Sequence, residues 1–434
     1  MNTTKSSTEF PVCADARPQR GRAIGVGALM ALALLAGTAL AHAPSSKAEH
    51  QHPFTTINGL NAIATLASTV AANKDENPYG LAMAPAVFSG TFQGKPSVLQ
   101  PGDLLISDFS NSTGANTGTS ILLYRPSAGK IMPYYTEHIG AGPVAIAISS
   151  LGTAWIANYL PGYMNTVDGA NTGDGNVVVI TPNGTDFPHD WGIIDNDSGA
   201  TFSPASNMFA GPWGQAFAVK SGTTTPYFFV TEVDNGSGWV QREEFMPPKF
   251  NDEKVVTIGS LPVGMNSFDP TGPQGMVYDP KRDILYVAST ASNSIVAFPN
   301  ATTSGPWMST PVVVYRGAPL NAPLGLTMNP INGDLITVNQ LNNDMVEIAP
   351  RPDADSGTWD FDARPVGVKL VDKTPVNAAA GTGSALFGLV ASKDANGNLE
   401  VYFVDANTNS LDMLYHRGGH DGHHDRDGHA HDGQ

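Results

Sequence analysis

A short motif recurs six times along this chain, and it limits the fold more tightly than any bulk property. Each copy is a Pro-x-Gly-like turn opening an apolar strand: Pro78-Tyr79-Gly80-Leu81, Pro143-Val144-Ala145-Ile146, Pro212-Trp213-Gly214-Gln215, Pro273-Gln274-Gly275-Met276, Pro323-Leu324-Gly325-Leu326 and Leu386-Phe387-Gly388-Leu389. The copies start 50 to 69 residues apart, and each is followed by a second apolar strand that ends at a polar residue: Asp108, Asn158, Glu232, Ser289, Asn339 and Asp405 in turn. Third strands are readable at residues 121–124, 177–180, 295–298, 345–348 and 411–415, and fourth strands at 132–138, 312–315 and 366–371. Four short strands per unit at this spacing predict an all-β fold, a six-bladed β-propeller with four antiparallel strands per blade.

The last unit lacks a fourth strand of its own after Tyr415. Residues 63–70, ahead of the first motif, can supply it, so the ring is expected to be closed by an N-terminal strand that removes an open sheet edge. A proline at a strand start gives up no ladder hydrogen bond. A glycine or alanine at the third motif position lets six inner strands crowd an axis. With 46 Gly, 33 Pro and only 14% charged residues, the composition agrees with short strands and many turns.

The N-terminus predicts export. Arg17, Arg20 and Arg22 precede an uncharged apolar run over residues 23–40 that ends in Ala39-Leu40-Ala41, a signal peptide with a small-residue cleavage site. The run of eighteen is also just long enough to span a bilayer if it is not cleaved. Cleavage after Ala41 removes four basic and two acidic side chains, leaving 19 basic against 37 acidic and a formal charge of −18. Such a surface excludes nucleic acid and anionic membranes as partners. The one cysteine, Cys13, lies in the leader, so the exported chain has to be stable without disulfides. The expected organisation is a signal peptide at 1–41, a disordered segment at 42–54, the propeller at 55–415 and a disordered tail at 416–434, in a monomer that is periplasmic or secreted.

The motif resembles the NHL-repeat propellers, whose unit runs from Pro-x-Gly through Leu-Tyr-Val-Ala-Asp to Asn-x-Ile. The best copy here is Pro273-Gln274-Gly275, then Leu285-Tyr286-Val287-Ala288-Ser289, then Asn293-Ser294-Ile295. The resemblance covers residues 55–416 and implies the fold, not the activity. More distantly the chain is similar to the calcium-dependent lactonase and gluconolactonase-type propellers, which hold a divalent ion at the channel mouth with Asp, Asn and Glu from the inner strand starts. The matching positions here, Tyr79, Val144, Trp213, Gln274, Leu324 and Phe387, offer no carboxylate, whereas calcium takes six to eight oxygen ligands. Streptogramin-lyase-like propellers share the blade pattern and need a histidine base. Inside the propeller only His138 and His189 exist, each in a surface-like context.

Chemistry-bearing motifs are scarce. No Gly-x-Ser-x-Gly, His-Glu-x-x-His, Walker loop or zinc-type Cys/His spacing occurs, so catalytic residues stay unassigned. The polar residues at the strand ends read as turn formers rather than as a ring of ligands. Loops 168–176 and 195–199 are rich in Asp, Asn and Gly but lack the EF-hand spacing.

Two functional expectations follow. Tyr79, Trp213, Gln274, Leu324 and Phe387 face the channel mouth, either as a plug of rings packed on one another or as a site for a neutral, partly apolar ligand. The tail carries His416, His420, His423, His424, His429 and His431 among Asp and Gly, neutral nitrogens suited to Cu, Ni or Zn. No cofactor is otherwise required. The leading reading is a binding propeller for an unidentified small ligand or protein partner, with a hydrolase or lyase using the channel mouth as the alternative.

Overall fold

A computed structural model describes residues 53–418, apart from 112–113, 115–116, 139–141, 162–173, 188–192, 195–200, 204–210, 220–225, 234–237, 245–253, 307–308 and 354–358. The signal peptide, His189, residues 168–173 of the loop 168–176, loop 195–199 and the tail beyond Gly418 lie outside the described residues. Among the described residues no helix is long and apolar enough to cross a membrane.

Six sheets surround one axis, each opening on a motif copy as its innermost strand. Blade 1 is built from Asp75–Met83, Leu104–Asn111, Ser120–Arg125 and Lys130–Thr136, and blade 2 from Pro143–Ile148, Ala154–Pro161, Asp174–Ile180 and the short Ile193–Ile194. Blade 3 contains Pro212–Val219, Pro226–Glu232, Trp239–Glu244 and Lys254–Ser260. Blades 4 and 5 run from Pro273–Asp279 to Val312–Arg316 and from Pro323–Met328 to Arg364–Leu370. Among the strands of the repeat the pairing is antiparallel in every blade, as the hairpin spacing requires.

Blade 3 departs from the repeat. A fifth strand, Thr201–Ser203, lies parallel to Lys254–Ser260 at its outer edge. The connection from blade 2 thus places a strand on the neighbouring sheet while leaving its own blade with a two-residue fourth strand. A parallel edge strand of three residues has no hairpin partner in sequence, which is why the repeat pattern does not announce it.

Blade 6 consists of Leu386–Lys393, Leu399–Asp405 and Ser410–Tyr415, completed by Ala62–Ser68 from the other end of the chain. The register runs Ala62↔Tyr415, Ile63↔Leu414 and Ala64↔Met413 to Ser68↔Ser410, with one irregularity between Thr65 and Ala67. This is the expected closure, and the segment before it adds a second fastening. Ile57 and Leu60 are fully buried, each burial contributing about 1.5–3 kcal/mol. The Ile57 amide donates to Glu347 Oε2 of blade 5 at 2.8 Å, and the Leu399 amide of blade 6 donates to Phe54 O at 2.8 Å. Phe54 stacks on His416 with ring centroids 3.5 Å apart. Both ends of the ring are therefore held where blades 5 and 6 meet.

The strand-end polar residues do not share one fate. Asp405 accepts from the Asn407 and Thr408 amides at 2.8 and 3.1 Å, and Asn339 accepts from the Asn321 amide at 3.0 Å while donating to Pro319 O at 2.9 Å. These close turns. Asp108 is fully buried, and neither of its carboxylate oxygens has a hydrogen-bond partner among the described residues. Burial pushes its carboxyl up to about 8, with the charges of Asp75 and Glu76 adding to the shift.

Two expectations can be checked. Deleting the residues before position 75 removes Ala62–Ser68 and bares the edge of Ser410–Tyr415, so the truncated chain should lose its cooperative thermal transition and associate. A monomeric product with an unchanged melt, by circular dichroism and size-exclusion chromatography, would refute this role. For Asp108, the folded chain retains a proton that the unfolded chain releases between about pH 4 and about pH 8, so this group lowers stability progressively across that window and levels off above it. Asp108→Asn should therefore gain on the parent as pH rises, at about 1.4 kcal/mol per pH unit. Urea midpoints at both ends of the window read the difference, and an equal gap at the two would count against an ionising Asp108.

Candidate functional site

At the start of each inner strand the pairing register slips by one residue, between Pro78 and Leu81 in blade 1 and at the matching place in the other five. Each slip is a bulge, and it turns the small third motif residue toward the next blade. A Cβ on Gly214 would sit 1.8 Å from the carbonyl oxygen of Gln274, and one on Gly325 would sit 2.0 Å from that of Phe387. Backbone packs on backbone here, which only glycine or a marginal alanine allows.

This approach brings the six second residues together over the axis, and all of them are buried; Phe387, the most exposed, retains 8%. Tyr79 is sandwiched between Phe387, at 3.6 Å and 16° between ring planes, and Phe109, at 4.3 Å and 24°. Trp213 meets Tyr79 edge-on at 6.2 Å and Tyr159 at 5.2 Å. Phe109 and Tyr159 escape a motif-based reading, although their position is regular: each directly follows the polar residue that ends a second strand. Gln340 occupies the same place in blade 5.

Beneath the rings an axial cavity of about 90 Å³ is walled by Gly80, Ala145, Gly214, Gly275, Gly325 and Gly388 with their neighbours. That is well below the ~300 Å³ at which pockets for drug-sized ligands begin. The rings thus pack on one another in the described state.

Above them lies a short hairpin, Gly264–Met265 paired with Pro270–Thr271. Asn266 closes its turn by accepting from the Phe268 and Asp269 amides at 2.8 and 3.0 Å. Asp269, only 4% exposed, receives the Tyr79 hydroxyl on Oδ1 at 2.9 Å and the Gln340 amide on Oδ2 at 2.7 Å. The Asn266 amide donates to Gln340 Oε1. Burial raises the Asp269 carboxyl to about 6 against the opposing effect of these two donors, and burial with the neighbouring carboxylate holds the Tyr79 phenol well above its usual range. Gln274 donates to Pro270 O at 2.7 Å, while its buried Oε1 has no partner among the described residues. Met265, at the hairpin tip, is 75% exposed.

The other expected site residues are spread out. His416 is fixed by its stack on Phe54 and by Nδ1 lying 3.1 Å from Gly59 O. His420, His423, His424, His429 and His431 lie outside the described residues. Asn176 donates no calcium-type loop ligand here; its Oδ1 accepts from Asn158 Nδ2 at 2.9 Å between the second and third strands of blade 2. Among the described residues no three His, Cys, Asp or Glu side chains are grouped to hold a metal ion.

No family model and no curated protein matches the sequence. Among solved structures, the chain is similar to a gluconolactonase from Xanthomonas campestris at 12% identity and a TM-score of 0.46, covering 81% of this chain and 89% of that one. It is also similar to a periplasmic gluconolactonase from Pseudomonas aeruginosa at 14% and 0.42, covering 71% and 80%. A third likeness is to a chain in a nidogen/laminin complex at 13% and 0.43, covering 73% and 85%. Likenesses at this level carry no activity over to this chain, and its assignment as a six-bladed β-propeller rests on the strand pairing above.

Proposed function

We propose that this chain is an exported binding propeller, periplasmic or secreted, that recognises a small ligand or a protein partner with the face where hairpin 264–271 closes the axis. One observation carries the reading: the mouth presents stacked aromatics and amides, and its buried carboxylate, Asp269, has both oxygens engaged by Tyr79 and Gln340. Aromatic area and amide hydrogen bonds suit recognition of a neutral, partly apolar group. With a cavity of about 90 Å³, such a ligand reaches Tyr79, Trp213, Leu324 and Phe387 only if the hairpin lifts, and the free acceptor of Gln274 would then orient it. Met265 gives a protein partner an exposed apolar contact on the same face.

A second reading has its own observation. A carboxyl raised to about 6 beside a phenol is a pairing that acid–base catalysis uses, so a hydrolase or lyase centred on Asp269 is the alternative. The tail adds metal binding to either reading, with Cu, Ni or Zn held by its imidazoles.

Calorimetry of the chain from residue 42 against a panel of neutral sugars, lactones and aromatic metabolites tests the mouth. Trp213→Ala should weaken any ligand found there by about 5- to 150-fold, in line with about 1–3 kcal/mol for one buried aromatic. A destabilised variant that keeps full affinity would remove the mouth from the reading. Deleting residues 419–434 should abolish most Cu(II) or Ni(II) uptake and leave the thermal transition within a degree or two; undiminished uptake would place the metal elsewhere.

A further inference from the structure

The hairpin over the axis is seated on the blades by polar contacts. Among the described residues of segment 264–271 no apolar side chain is buried: Met265 is 75% exposed, and Phe268 and Pro270 are half-buried. Two ladder pairs, Gly264↔Thr271 and Met265↔Pro270, join its own strands. Toward the ring it offers Asp269 to Tyr79 and Gln340, Asn266 to Gln340, and Pro270 O to Gln274. A segment with few buried apolar contacts opens at a free energy well below that of global unfolding. The hairpin is built as a lid.

The receiving half of this latch belongs to the ring. Tyr79 comes from the inner strand of blade 1, and Gln340 directly follows the second strand of blade 5. Their donors divide one carboxylate between them, the Tyr79 hydroxyl reaching Oδ1 at 2.9 Å and Gln340 Nε2 reaching Oδ2 at 2.7 Å. Neither donor is charged, so this cradle reads a carboxylate through hydrogen bonds. Tyr79 is 5% exposed and Gln340 0%, and donors this deep need an acceptor, since a buried one without a partner has lost water and gained nothing. Lifting the lid removes Asp269 from both at once. Tyr79 stays clamped between Phe387 and Phe109, with Trp213 at its edge, so the vacated donors stand beside an aromatic floor. The closed lid also leaves Gln274 Oε1 without a partner among the described residues, although that side chain is fully buried and its Nε2 holds Pro270 O.

We propose that Asp269 is a tethered stand-in for a ligand carboxylate: when hairpin 264–271 lifts, the Tyr79 hydroxyl and Gln340 Nε2 receive the carboxylate of a small monocarboxylic acid whose apolar body lies on Tyr79, Trp213 and Phe387. This deepens the binding reading and rests on it, the rings taking the neutral, apolar part of the ligand and the two donors orienting it. Being part of the chain, Asp269 competes at an effective concentration on the order of millimolar. The contact is therefore autoinhibitory, and a guest acid binds by displacing it.

The probe is phenylacetate, a carboxylate on a short apolar body, titrated calorimetrically into the chain from residue 42. Asp269→Ala frees both donors and should bind phenylacetate about tenfold or more tightly than the parent, a gain that a merely structural Asp269 does not produce. Tyr79→Phe, added to Asp269→Ala, keeps the ring, removes one donor and should lose most of the gain. Phenylacetamide, with one acceptor in place of two, and acetate, without the ring, should each bind Asp269→Ala about tenfold or more weakly than phenylacetate does. A thermal melt shows whether Asp269→Ala folds; if it does not, Asp269→Asn, which keeps the shape and withdraws one acceptor, takes its place in the same comparisons. Absence of a gain, a gain that survives Tyr79→Phe, or equal binding of phenylacetamide or acetate would each overturn the carboxylate cradle. Failure of phenylacetate alongside a neutral ligand that Trp213→Ala weakens would remove the cradle and leave the mouth reading intact.

Discussion

Backbone-on-backbone contact at the axis is the constraint on which the rest of this molecule depends. A side chain on Gly214 or Gly325 would have to occupy the space of a carbonyl oxygen in the next blade. Close backbone approaches at five glycines, Gly80, Gly214, Gly275, Gly325 and Gly388, set the radius of the ring, and the radius decides everything above and below it. It brings Tyr79, Phe387 and Trp213 close enough to pack, and it leaves beneath them a cavity of only about 90 Å³. A wider ring would have an open channel, and the same aromatic residues would then line a pore.

The axis also explains how a buried carboxylate is tolerated at the mouth. Asp269 would be costly there alone, since removing a charge from water needs compensating donors. The hairpin supplies the carboxylate while blades 1 and 5 supply the Tyr79 hydroxyl and the Gln340 amide. Hairpin and ring are thereby joined by polar contacts whose strength depends on the ionisation of one group. Asp108 shows the opposite solution, a carboxyl without donors among the described residues that burial holds protonated instead.

Much of this architecture could be read from the residues because it repeats. The Pro-x-Gly turns marked all six inner strands, and the missing fourth strand after Tyr415 pointed to the pairing with Ala62–Ser68. Features without a counterpart in other blades stayed hidden: the parallel strand Thr201–Ser203, the seat of Ile57 on Glu347, and the hairpin that carries Asp269. The first two are fixed by contacts between residues far apart in sequence, and the hairpin, local in its own pairing, is seated by Tyr79 and Gln340, so no local pattern marks any of them. Phe109 and Tyr159 lie between these cases. Their place in the repeat is regular, but the residue type changes from blade to blade, to Val233, Thr290, Gln340 and Ala406, so only the assembled ring shows what they do.

Closure by the first strand also sets a timetable. Ala62–Ser68 leaves the ribosome some 340 residues before its partner Ser410–Tyr415. Until the last segment arrives, the first strand has no sheet to join, and the inner strands of blades 1 and 6 lack each other's backbone. Contacts of such sequence separation slow folding because the loop entropy falls due before the contact repays it. A chain of this design spends its assembly as an open arc, and its vulnerability to proteases and to aggregation is concentrated in that interval rather than in the finished ring.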